Sequence, residues 1–186
     1  MQSFATPRLL LRPIDAADEA LYVHLYTDPG VMRHIAAPLS ADAAQRGFRA
    51  ACRLAALPAP LTRLWIVSEC GMPGRLGVLA LLQHKDDPDG AEPGVMLTAA
   101  AQGVGVASEA LAGLAEHAFA TLQLQRLSTR HAAGNVAVAR MMVKLGYQRA
   151  DAGGTEPAEW RWQMTRGHWQ SRRGAQAPVA QAPAGR

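Results

Sequence analysis

Gln102-Gly103-Val104-Gly105-Val106-Ala107-Ser108 stands between a strand-like run at 94–98 and a helical stripe of Ala107, Leu111, Leu114, Ala115, Ala118 and Leu122. Glycines at 103 and 105 let a ligand come close to the backbone. The first amide N–H groups of a helix have no partner inside it, and with the helix dipole they form an anion site suited to a pyrophosphate. Ser108 adds a hydroxyl donor. Two familiar phosphate cradles do not fit. A GxGxxG dinucleotide site would have glycine where Ser108 stands and an acid about 20 residues on, where Gln123 and Gln125 lie. A P-loop would need Gly-Lys-Ser/Thr, which the stretch lacks.

Outward from this turn the period of the apolar residues alternates between strand and helix. Leu9 to Ile14 reads as a strand ending at Pro13, and Asp15 as the cap of a helix carrying Leu21 and Leu25. Asp28-Pro29-Gly30 is a turn. Ser40 caps a second helix that Pro58 and Pro60 stop. Leu64–Ser68 and Leu76–Gln83 form a hairpin across Gly71, Pro73 and Gly74. Asp86, Asp87 and Asp89 lie in a solvated loop tip without the bidentate Glu of a calcium loop, and no metal is expected. Pro93 removes a ladder N–H, so the strand at 94–98 is expected to start there or lie at an edge. Arg126–Arg130 is a short strand. Asn135 caps a helix with Val138, Met141, Met142 and Leu145 on one face and Gly146 as its stop. Strands at 147–150 and 160–164 close the order β-α-α-β-β-β-α-β-α-β-β, which implies a mixed sheet in an α+β or α/β domain. Trp160 and Trp162 share one strand face, equally suited to an acceptor site, a core or a homodimer contact.

Composition narrows the function classes. Of 186 residues 49% are apolar and 18% charged, which is globular. The net charge of +4 belongs to residues 166–186, which hold Arg166, Arg172, Arg173 and Arg186 and no acid. The expected domain, 1–165, is neutral, which argues against a broad phosphate-binding face and a nucleic-acid partner. Residues 166–186 read as a basic, Pro/Ala-rich, disordered tail. Cys52 and Cys70 suit neither a zinc site nor a disulfide framework and are expected as small reduced core or subsurface thiols. The N-terminus lacks a leader pattern, and no window approaches about 18 uninterrupted apolar residues. A cytoplasmic protein without a membrane partner is the expectation.

Several segments, in order over residues 6–165, resemble one family. Gln102-x-x-Gly105-x-Ala107 resembles the acetyl-CoA motif of the GNAT superfamily of N-acetyltransferases. Thr6-x-Arg8-Leu9-x-Leu11-Arg12, Asp28-Pro29-x-Val31-Met32 and Glu92-x-Gly94-x-x-Leu97 are similar to segments of its RimJ/RimL-type branch. So are Asn135, Arg140 and Lys144-Leu145-Gly146-Tyr147. The resemblance implies a GNAT fold, with a mixed, mostly antiparallel sheet of about six to seven strands, splayed between the fourth and fifth and flanked by about four helices. It implies acetyl-CoA as co-substrate and an amine acceptor, either a small molecule or a protein N-terminus. The splayed strands would be 94–98 and 126–130. A bulge near Met96 and Leu97 would aim backbone groups at the pantetheine, the pyrophosphate would lie on the amides of Gly103, Val104, Gly105, Val106 and Ala107, with Gln102 and Ser108 also binding the cofactor, and Asn135 would lie near the acetyl-CoA arm.

Direct attack of an amine on a thioester needs positioning, a base for the ammonium proton and a donor for the oxyanion. The resemblance makes Glu92 the first candidate base, with His131 and His84 as alternatives because imidazole titrates near neutrality. The branch's serine, which can protonate the leaving thiolate, is replaced by Val138. The tyrosine other members use aligns with Met142. A thiolate is a fair leaving group near neutral pH, so a dedicated acid is dispensable.

Overall fold

Alternating large apolar residues build the centre of the sheet. In β3 (Thr62–Glu69), Trp65 and Val67 face one side while Leu64 and Ile66 face the other, all of them buried. In β4 (Arg75–Gln83), Leu79 and Leu81 join the first set and Val78 the second. A sheet built this way must be covered on both faces. The computed structural model describes residues 1–150 and 158–176 and has both covers.

Among the described residues the sheet has eight strands. The others are β1 (Phe4–Ala5), β2 (Leu9–Pro13), β5 (Gly90–Leu97), β6 (Arg126–Ala132), β7 (Gln148–Arg149) and β8 (Glu159–Thr165). Their order is β1-β2-β3-β4-β5-β6-β8-β7, and every neighbouring pair is antiparallel except β5 with β6. Helices α1 (Glu19–Thr27), α2 (Pro29–Met32) and α3 (Ala41–Ala55) lie on the face of Leu64 and Ile66, where Tyr22 packs on Phe48 with ring centroids 5.5 Å apart. The opposite face is covered by α4 (Val106–Glu116) and α5 (Val136–Leu145), with Trp169 of α6 (Arg166–Gln176) beside them. This is the mixed, mostly antiparallel α+β architecture the sequence implies. No helix among the described residues is long and apolar enough to cross a membrane.

The caps are where the sequence places them. Asp15 accepts from the Ala17 N–H, Ser40 from Ala43 and Asn135 from Val138, while Gly146 ends α5 at φ +87°. Asp18 closes the capping box at the Asp15 helix start, its carboxylate accepting from the Asp15 N–H at 2.9 Å. It is fully buried, 2.6 Å from Arg12 and 3.2 Å from Arg75, and so ties β2 and β4 to the turn before α1. Burial alone would raise its pKa, but the Arg12 hydrogen bond, the Asp15 N–H and the two arginine charges outweigh that and lower it.

The differences from the sequence reading have local causes. Asp28-Pro29-Gly30 opens the one-turn α2, because the Asp28 carboxylate caps the N–H groups of Gly30 and Val31. The helix after the glycine turn widens into a π turn over His117–Thr121, which turns His117 into the core. β5 starts at Gly90, so Pro93 lies inside it. The strand tolerates proline there because it has already left β6 on one side. No bulge occurs at Met96 and Leu97: the register with β4 runs unbroken from Gln83↔Ala91 to Gly77↔Leu97. Cys52 is half-buried, while Cys70 is exposed rather than subsurface. Residues 166–176, expected in a disordered tail, form α6, and the rest of that segment lies outside the described residues.

Candidate active site

β5 and β6 pair at only two positions, Gly90↔Arg126 and Ala91↔Leu127. Beyond them β5 stays with β4 and β6 stays with β8. The two strands therefore part, leaving the V expected between 94–98 and 126–130.

The glycine turn lies at the open end of the V. A 3₁₀ turn at Ala99–Ala101 leads into Gln102, whose Nε2 donates to the Leu97 carbonyl at 3.0 Å and fastens the turn to the strand end. Gly103 and Gly105 have φ of +77° and +85°, where a side chain would be strained. A Cβ on Gly103 would meet nothing within 4 Å, so the turn is open to a ligand. The Glu109 N–H bonds back to the Gly105 carbonyl at 3.1 Å, so the amides of Val106, Ala107 and Ser108 precede the first turn's bond and have no helical acceptor.

The turn borders a cavity of about 400 Å³, lined by Leu97, Ala107 and Ser108 and, from α5, by Ala137, Val138 and Met141. Donors at one end and apolar walls along the sides suit a phosphate group followed by a pantetheine arm, so the residues present fit acetyl-CoA. Gln102, Gly103, Gly105, Ala107, Ser108 and Leu97 line the cavity together. Val104 is 60% exposed beside them, and the Val106 side chain is buried in the core, which leaves that residue only its backbone to offer. Met96 packs on the opposite face, against the α1–α3 layer. Asn135 spends its side-chain oxygen on the α5 cap, 3.2 Å from the Val138 N–H. Val138 faces the cavity, and Met142 is buried core.

A second cavity, of about 370 Å³, lies near the vertex of the V and is lined by His84, Glu92, Ser128 and the arginines 126, 130 and 161. His84 Nε2 is 3.1 Å from Ser128 Oγ, and the imidazole passes over Gly90, where a Cβ would stand 3.0 Å from its Cδ2. Glycine at 90 makes room first for the Asp87 carboxylate and then for that bridge. Arg126 is paired with Asp87, and Arg130 with Glu159 at 3.4 Å.

The structure brings Glu92 together with His84, and not with His131. Leu127 packs against the α4 layer, so by strand alternation His131 shares its face and Ser128 the other. The His131 Nδ1–H donates to the Ala132 carbonyl at 2.8 Å, and its Nε2 accepts from Trp162 Nε1 at 2.9 Å. Both nitrogens are engaged, and the ring stacks on Trp162. The sequence reading did not single out Glu109, whose carboxylate holds the β1–β2 turn against the start of α4.

The comparisons agree with this geometry. Residues 8–148 match the family model described as the acetyltransferase (GNAT) domain. No curated protein matches. Among solved structures, an acetyltransferase from Agrobacterium tumefaciens is similar at TM-score 0.74 and 19% identity, over 88% of this chain and 94% of that one. A GNAT-family acetyltransferase from Bacillus anthracis reaches 0.74 at 17% identity, covering 89% and 99%. The spermidine N-acetyltransferase of Vibrio cholerae, solved with CoA and spermine, reaches 0.75 at 16% identity, again over 89% and 99%. At these identities the structures speak for the fold, and the family match covers most of the chain: it belongs to the GNAT family of acetyltransferases.

Proposed function

We propose that this chain transfers the acetyl group of acetyl-CoA to a primary amine by direct attack in a ternary complex, the acceptor being a small molecule or a protein N-terminus. The observation that carries the reading is the parting of β5 and β6, with a donor-rimmed cavity at the open end and a cavity holding Glu92 and His84 near the vertex. The ordered motifs shared with the RimJ/RimL-type branch support membership of that branch. The amides of Val106, Ala107 and Ser108 hold the pyrophosphate, while Leu97, Val138 and Met141 flank the arm. Glu92 takes the ammonium proton, directly or through a water, with His84 in the same cavity as the second candidate base. The free amine forms the new C–N bond, the C–S bond breaks, the sulfur leaves as thiolate, and the second proton that the nitrogen sheds on becoming an amide passes to that thiolate or to water. A backbone N–H of β5, on the side β6 has left, is available to the developing oxyanion. A polyamine, the acceptor named for the Vibrio enzyme, would find one lining carboxylate, Glu92, among three arginines. Two of those arginines are themselves paired, Arg126 with Asp87 and Arg130 with Glu159, so the charges around the cavity balance.

The test is calorimetric titration with acetyl-CoA, followed by thiol release on the same sample with a panel of amines and N-terminal peptides. Binding with turnover upholds the reading, and absence of binding overturns it. A second reading, an acyl-CoA-binding protein without turnover, is favoured by Val138 and Met142, which leave no hydroxyl at the two family acid positions. Binding with no turnover across the panel would select it.

A further inference from the structure

The turn between β1 and β2 is clamped to the first turn of α4 by one carboxylate. Glu109 Oε1 accepts from Thr6 Oγ1 at 2.6 Å and from the Arg8 backbone N–H at 2.8 Å, and Oε2 accepts from Arg8 Nε at 2.6 Å. Burial alone would raise the Glu109 pKa, but the hydrogen bonds from Thr6 and Arg8 and the Arg8 charge outweigh it and hold the group ionised. The clamp fixes the guanidinium by its Nε edge. Its Nη2 lies 3.5 Å from where a Cβ on Gly105 would stand, beside the residue that opens α4. The side chain is 54% exposed, so a ligand can reach it.

A cation in that position is held against the field of the helix start by Glu109. The start of a helix carries partial positive charge, and a guanidinium beside it is disfavoured unless an anion lies between them. Glu109 offsets part of that, but its three donors already occupy it. A phosphate on the amides of Val106, Ala107 and Ser108 would complete the arrangement, with a charge-assisted bond from Nη2. We infer that Arg8 is a side-chain ligand of the donor's pyrophosphate, reaching the amide cradle from the β1–β2 turn. The inference rests on the acetyl-CoA reading of the glycine turn.

The experiment is calorimetric titration of CoA and of dephospho-CoA, which keeps the pyrophosphate and lacks the 3′-phosphate, into wild type, Arg8→Gln and Glu109→Gln, with thermal unfolding of each to check the fold. Arg8→Gln weakens both ligands by about tenfold, the scale of one charge-assisted hydrogen bond at an exposed site. Glu109→Gln breaks the ion pair but keeps the guanidinium and removes a negative charge near the phosphates, so its affinities stay at or above those of wild type. Wild-type affinity in Arg8→Gln overturns the inference. Equal losses in the two variants also overturn it, since a purely structural clamp would give that result. A loss confined to CoA overturns the pyrophosphate assignment in favour of the 3′-phosphate. Failure of wild type to bind CoA at all would instead remove the acetyl-CoA reading beneath it.

Discussion

Two residues carry local demands that single substitutions can isolate. Gly105 opens α4 at φ +85°, a region that costs an L-residue about 1–2 kcal/mol. A Cβ there would meet only Arg8 Nη2, at an ordinary 3.5 Å, so the cost of a side chain is in the backbone and in the loss of ligand space. Gly105→Val is expected to weaken acetyl-CoA binding by more than about tenfold while lowering stability by about 2 kcal/mol; calorimetry and urea unfolding read the two effects apart. Unchanged affinity would mean the ligand does not lie on this turn. His117 makes the second demand. It is 8% exposed, stacked on Phe4 at 4.6 Å and edge-on to Trp65 at 5.7 Å. Burial, and then the Arg63 charge, push its pKa below the ordinary histidine value. The unfolded chain therefore takes up this proton first as pH falls below about 6.5, and the fold loses stability until the folded pKa is passed. His117→Gln loses stacking and should be less stable near neutral pH, but its stability should fall less steeply than that of wild type between about pH 7.5 and 5. Equal slopes in urea unfolding would refute that role for His117.

At the scale of elements, α6 shows what a sequence pattern conceals. Its residues, RGHWQSRRGAQ, contain one large apolar side chain and two glycines, so no stripe marks a helix. The structure docks it through that side chain and two arginines: Trp169 meets Phe119 with centroids 5.4 Å apart, Arg173 lies over the Trp169 ring at 5.1 Å and pairs with Glu116, and Arg172 donates to the Lys144 carbonyl at 3.4 Å. Trp169→Ala should cost about 2 kcal/mol, from lost aromatic packing at a half-buried site. Arg173→Ala should cost under about 1 kcal/mol, because its ion pair is exposed. Equal, negligible losses in chemical denaturation would mean α6 does not dock. The helices that were legible had stripes, and α3 and α5 also had caps, Ser40 and Asn135. β1, two residues long, is too short to express a period. The π turn could not be read, because the contact it serves, His117 stacked on Phe4, joins residues more than a hundred positions apart.

For the whole molecule, the sheet both separates and joins the two halves of the site. The glycine turn was legible because a strand, a turn and a helix follow one another along the chain. The partnership of Glu92 with His84 was not. It depends on which strands become neighbours and on the β5–β6 register, and alternation within one strand fixes neither. One residue more or less in that pairing would reverse which side chains of β6 face Glu92. As it stands, Glu92, His84 and Ser128 line the cavity near the vertex, and the amide cradle lies at the other end of β5, beyond Leu97. A base in that position acts on the acceptor and touches no part of the donor's phosphate end. Glu92→Gln keeps the shape of the cavity and removes the proton acceptor. Turnover at saturating amine should fall by about a hundredfold, the usual scale for loss of a general base, while the calorimetric affinity for acetyl-CoA stays that of wild type. If the base acts in the rate-limiting step, raising the pH should recover part of the loss, because more amine then arrives already deprotonated. A fall in acetyl-CoA affinity with unchanged turnover would place Glu92 on the donor's side of the splay. Unchanged values of both would pass the proton to His84, and His84→Gln would then have to show the hundredfold loss.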